Sequence, residues 1–216
     1  MAQQPSGVRQ FIWLIQEPKR FFANTATAAT YGPTLLYYAS FGISVAILQT
    51  LTTLPAILDP ATGIAKQIEA LIGFILSLLF VFLAPFIVAG MMHLGVITIG
   101  GTKGYRNTFN PAAYALVVGT LYNAVAACLW FGFYLGSPAL MRELLLSEQV
   151  SNQPLQVAYL ASVGVVGLVG LCHSLYVASV GIASFQKVTM RKAVLAVLFV
   201  PLLLLLALSL ASLLVG

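Results

Sequence analysis

Five stretches of this chain contain no Asp, Glu, Lys or Arg: 21–58, 70–102, 107–141, 149–186 and 193–216. Each exceeds the roughly 20 residues that a helix needs to cross about 30 Å of hydrocarbon. In lipid the backbone has no water to bond, so a spanning segment must satisfy its own N–H and C=O groups. An all-α, polytopic membrane protein with five transmembrane helices is therefore expected. Only 7% of the 216 residues are charged, against about 25% in globular domains, which excludes an ordinary water-soluble fold. The spans fall near 34–54, 68–99, 113–134, 157–184 and 194–214, giving a tail over 1–33 and a five-helix domain over 34–216.

The few charges set an orientation. Arg9, Lys19, Arg20, Lys103, Arg106, Lys187, Arg191 and Lys192 lie on one side of a five-span chain, and Lys66 and Arg142 on the other. Lys and Arg accumulate on the cytoplasmic side, so the N-terminus is expected inside and the C-terminus outside. Four of the five acids (Asp59, Glu69, Glu143 and Glu148) fall on the outer side, leaving Glu17 among the bases. The net charge of +5 borders the spans and forms no single patch, which excludes nucleic acid as a partner and favours anionic lipid headgroups. Residues 1–10 are polar and the following FIWLI is too short for a signal core, so no cleavable signal is expected.

Residues 8–17, VRQFIWLIQE, gather Val8, Phe11, Ile12, Leu14 and Ile15 on one arc. That pattern predicts an amphipathic helix lying on the inner leaflet, ended by Pro18 and followed by the anchor Lys19-Arg20-Phe21-Phe22. Trp13 falls on the polar arc, where an interfacial position is expected, with packing under the GGTKGYR loop or contact with a partner as alternatives. The second span is too long for the bilayer core, which requires tilt, a bend at Pro85 or projection into the cytoplasm. Gly132 and Gly136 form a GxxxG pair; Gly167, Gly170, Ser174, Ala178 and Gly181 form one stripe. Both are expected to pack helices inside the protein, and they also admit a homo-oligomer.

No span carries a charge at its centre, no catalytic motif is present, and neither an enzyme nor a bound cofactor is expected. Cys128 and Cys172 lie inside spans and are not a disulfide framework. The polar groups within the spans are His93, Asn123 and His173, with Gln49 nearer one end. Both histidines sit in the inner halves of parallel spans beside sulfur (Met91, Met92, Cys172), a donor set that suits soft metals. Cys172 and His173 point about 100° apart, however, and hydrogen bonding between helices is the expected role.

The stretch 100–109, GGTKGYRNTF, ends an apolar run with two glycines and then presents Lys103, Tyr105 and Arg106 on the cytoplasmic side. With Pro18-Lys-Arg-Phe-Phe22, Tyr31-Gly-Pro33, Ala113-Tyr114-Ala115 and Lys192-Ala193, it resembles the Yip family of five-span (Ypt/Rab-interacting) membrane proteins, in order along nearly the whole chain. For eukaryotic members, which carry a longer, acidic N-terminal region, the resemblance implies Rab binding. Here the tail is short and basic and Thr30 precedes Tyr31, a compact form similar to the bacterial branch, which points to a bacterial inner membrane. The expectation is a non-enzymatic organiser or adaptor that meets lipid and an unidentified protein through Trp13, Lys19, Arg20, Gly100, Gly101, Lys103, Tyr105, Arg106, Lys187, Arg191 and Lys192. The alternative is a small permease or lipid-handling protein with His93, Asn123 and His173 along its path.

Overall fold

The computed structural model describes residues 7–25, 30–58, 63–139, 143–144 and 153–215, with backbone alone for 55–56, 153 and 204–215. Asp59, Arg142 and Glu148, placed on the outer side from sequence, lie outside the described residues. The elements run α1 (Gly7–Gln16), α2 (Pro18–Thr25), α3 (Tyr31–Ile57), α4 (Gly63–Thr98), α5 (Arg106–Gly136), α6 (Gln153–Gln186) and α7 (Met190–Val215). Among the described residues, α3 to α6 are long and apolar enough to cross a membrane.

Sequence logic accounts for the breaks. Pro18 cannot donate to α1 and instead opens α2, where its missing N–H costs nothing. At the end of α4, the Gly101 N–H reaches Val96 O at 2.9 Å while Gly100 takes φ 81°, the arrangement that closes a helix through a left-handed residue. The end of α6 repeats it, with Val188 N–H on Ala183 O at 3.2 Å and Lys187 at φ 55°. A non-glycine residue in that region bears strain of about 1 kcal/mol.

Several helices outrun the boundaries expected from sequence. α4 starts at Gly63 and α5 at Arg106, because hydropathy marks only the membrane-embedded part of a helix. α3 continues through Pro55 to Ile57; a proline in the last turn removes one bond and leaves the helix standing. α4 keeps its helical assignment through Pro85 for 36 residues, about 54 Å at 1.5 Å per residue.

The chain divides into two compact units, 1–38 with 83–118 and 173–216, and 39–82 with 119–172. The first unit holds most of the core. In it the opening turns of α5 are buried without interruption from Thr108 to Ala113, so this segment is covered on every side. Phe109, Ala112 and Ala113 meet Ala89 of α4, with Leu35, Val88, Met92 and Tyr105 around them. Gly95 brings α4 against α7 so closely that a Cβ there would lie 2.0 Å from Ala196 O.

The second unit has a thinner core. A Cβ on Gly42 would lie 2.9 Å from Val81 Cγ1, and one on Gly170 would lie 2.7 Å from Tyr122 Cβ. Tyr159 takes Trp130 and Phe133 edge-on, with centroids 5.8 and 5.3 Å away. Leu71, Ile72, Ile75, Leu76 and Leu79 of α4 are all exposed, as suits surface in contact with acyl chains.

The small residues divide in their roles. Gly170, Ala178 and Gly181 pack inside as expected, whereas Gly167 has open space around it. The Gly132–Gly136 pair departs from the expected internal packing. Both glycines are open and line a shallow apolar groove of about 340 Å³ with Cys128, Leu129, Phe133 and Leu155.

A clasped glycine loop and a seated N-terminal helix pair as the candidate functional site

Loop 99–105 is fixed within the first unit by α6 on one hand and α4 on the other. From α6, buried Gln186 accepts the Lys103 N–H at Oε1 (3.1 Å) and donates from Nε2 to Gly104 O (3.1 Å) and to Thr108 Oγ1 (3.1 Å). One carboxamide thereby uses an acceptor and both amide hydrogens. From α4, His93 Nδ1 lies 3.0 Å from Thr108 Oγ1. Gln186 donates to the same oxygen, so Thr108 Oγ1 is a meeting point of α4, α5 and α6. The Tyr105 hydroxyl donates to Phe86 O at 2.9 Å while its ring stands edge-on to His93 at 5.4 Å. Burial, and then nearby Tyr31, raises the Tyr105 pKa, which keeps the phenol protonated as a donor.

The glycines follow from this geometry. Gly100 and Gly104 take φ 81° and 80°, which side chains rarely adopt. A Cβ on Gly101 would lie 2.4 Å from Val96 Cγ1. The Asn107 side-chain amide caps the turn by donating to Lys103 O. Held this way, the loop leaves the Lys103 and Arg106 side chains exposed. Through Gln186 it also sits beside Lys187, which is exposed, as are Arg191 and Lys192 at the start of α7.

The N-terminal residues form a second arrangement in the same unit. Trp13, unexplained by the amphipathic pattern, lies between the guanidinium groups of Arg9 (5.3 Å from its centroid) and Arg20 (4.2 Å). Arg20 also pairs with Glu17 at 3.1 Å, and Lys19 is exposed. The apolar arc of α1 is split: Leu14 is fully buried in the protein, whereas Val8 and Ile12 are 72% and 44% exposed. Phe21 and Phe22 depart most from expectation. They are buried among Tyr114, Phe185 and Gly181 instead of standing as headgroup anchors, because α2 turns them toward the protein and its cations outward.

Both histidines bond to another helix, the role expected of them, and among the described residues neither bonds to the other. His173 Nε2 donates to Ile15 O at 3.0 Å, satisfying a carbonyl in the last turn of α1 that lacks a helical donor. His93 and His173 thus bond different partners, and among the described residues no three His, Cys, Asp or Glu side chains gather as a metal site. Asn123 and Gln49 are exposed, and among the described residues neither side chain bonds to another helix.

Sequence reasoning missed Gln186 and Thr108, the centre of the clasp. No local signal marks them as partners, because 78 residues separate the two in the chain. Gln186→Leu is expected to free the loop. It removes three hydrogen bonds, one to the Thr108 hydroxyl and two to the loop backbone, a cost of about 2 kcal/mol, and proteolytic cleavage after Lys103 should quicken about tenfold. Unchanged cleavage would show that the glycine turn holds itself.

Long apolar helices, uncharged centres and a polar clasp built from backbone, amide, imidazole and hydroxyl groups define an integral, multi-pass membrane protein. The Yip1 domain model matches residues 13–211, and the chain belongs to that family. No protein with a curated description and no solved structure matches the chain.

Proposed function

We propose that the protein is a non-enzymatic organiser in a bacterial inner membrane, crossing it five times with its N-terminus in the cytoplasm. The fifth crossing is α7, which continues the helix through a leucine-rich run after Pro201. The observation that carries the reading is the Gln186 clasp: it orders an exposed loop that has no catalytic group to serve. A loop held at both backbone and side chain presents Lys103, Arg106 and neighbouring Lys187 as a pre-formed basic surface, which lowers the entropic cost of binding. Anionic headgroups and an acidic region of a cytoplasmic protein are the complementary partners. The Trp13–Arg9–Arg20 group extends the same chemistry along α1.

The test is Lys103→Glu with Arg106→Glu, followed by affinity purification in mild detergent. Partner recovery is expected to fall at least tenfold, consistent with the several kcal/mol that like-charge contacts cost at an interface. A cysteine at Lys187, labelled from the cytoplasm, reports whether the variant inserts correctly. Wild-type recovery with correct insertion would sink the organiser reading. Reversed labelling would show that these charges serve topology alone.

A further inference from the structure

Asn123 is a polar side chain placed midway along α5 and turned out of the protein. It is exposed, and among the described residues it has no hydrogen-bond partner. It lies about 26 Å from Arg106 and about 20 Å from Gly136 along α5, counting 1.5 Å per residue, which puts it near the middle of a helix long enough to span. A carboxamide facing hydrocarbon at that depth forfeits every hydrogen bond it would make in water, at a cost of several kcal/mol.

We infer that Asn123 is the centre of a parallel, two-fold interface between two copies of this chain within the membrane. The amide is self-complementary, since its N–H donates while its C=O accepts. Two copies related by an axis along the membrane normal exchange two bonds using this one residue. A second copy also presents the amide at the same depth by construction, whatever the tilt of α5, which no unrelated partner does. Gly119, one turn earlier and only partly exposed, adds no bulk on that face, so the helices approach closely enough for the amides to meet. The inference requires only that α5 spans the membrane, so it stands or falls separately from the cytoplasmic organiser.

The experiment uses the full chain, purified and reconstituted alone into phosphatidylcholine vesicles, with energy transfer between labelled copies followed against protein-to-lipid ratio. Transfer is expected to rise with that ratio. Asn123→Leu should raise the dissociation constant about tenfold, the scale of hydrogen bonds between transmembrane helices, and Asn123→Gln should keep it within about threefold because the amide is retained. In a Cys128→Ser, Cys172→Ser background, Asn123→Cys should oxidise to a covalent dimer, while Phe131→Cys, about 80° around the helix, should not. Asn123 makes no contact that folds the monomer, so Asn123→Leu should elute and absorb as wild type; if it does not, the cysteine pair decides. Monomer at every ratio, wild-type association of Asn123→Leu, or equal crosslinking from both cysteines would overturn the interface. Unchanged association with a solute leak abolished by Asn123→Leu would assign the residue to a permeation path instead.

Discussion

Gly95→Ala is expected to push α4 away from α7 and destabilise the first unit by about 2 kcal/mol or more. The added Cβ would lie 2.0 Å from Ala196 O, 2.7 Å from its carbonyl carbon and 2.9 Å from its Cα. These are backbone atoms, which cannot rotate aside, so the helices must separate by more than an ångström. In lipid no hydrophobic force draws helices together, and association rests on close packing that such a gap forfeits. Alanine favours a helix over glycine by up to about 1 kcal/mol, which reduces the net loss without reversing it. Gly90→Ala is the control in the same helix, because nothing lies within 4 Å of a Cβ there. Thermal unfolding in detergent should show a lower midpoint for Gly95→Ala and an unchanged or higher one for Gly90→Ala. Equal midpoints would mean that α7 is held by something other than this contact.

What the sequence reveals and conceals differs by physical scale. Long helices are legible because excluding charge from hydrocarbon is costly, and that cost is written residue by residue. The stop at Gly100-Gly101 is legible for the same reason: a left-handed C-terminal residue is a local requirement. Contacts between distant positions leave no such mark. Gly95 meets Ala196 and Gln186 meets Lys103, and nothing in the local pattern distinguishes either from its neighbours. Trp13 shows both sides of this division. Its contact with Arg9 follows from i, i+4 spacing, whereas its contact with Arg20 depends on the turn at Pro18. The GxxxG pair failed because small residues permit close packing without requiring it; Gly132 and Gly136 open onto a groove. Phe21 and Phe22 were misread because an aromatic pair beside Lys and Arg has the composition of an interfacial anchor.

That last misreading supplies the second large effect. Phe22→Ala is expected to release the α1–α2 segment, because the ring is its main seat in the protein. Phe22 is fully buried, and it stands edge-on to Phe21 at 5.1 Å, Tyr114 at 6.0 Å and Phe185 at 5.9 Å. Its tip would come within 2.8 Å of a Cβ at Gly181, so it lies against bare α6 backbone. Truncating so enclosed an aromatic ring costs about 3–5 kcal/mol. Amide exchange over residues 7–25 should therefore quicken by about two to three orders of magnitude, with the amides of α5 and α6 changing far less. Gly181→Val should reproduce the effect from the other side by filling the seat. His173→Ala removes one bond to Ile15 O and should cost only about 1 kcal/mol. If Phe22 were instead a headgroup anchor, its loss would weaken vesicle binding and leave exchange in α2 unchanged. An effect of His173→Ala larger than that of Phe22→Ala would mean that the α1–α2 segment hangs from the hydrogen bond and not from the aromatic seat.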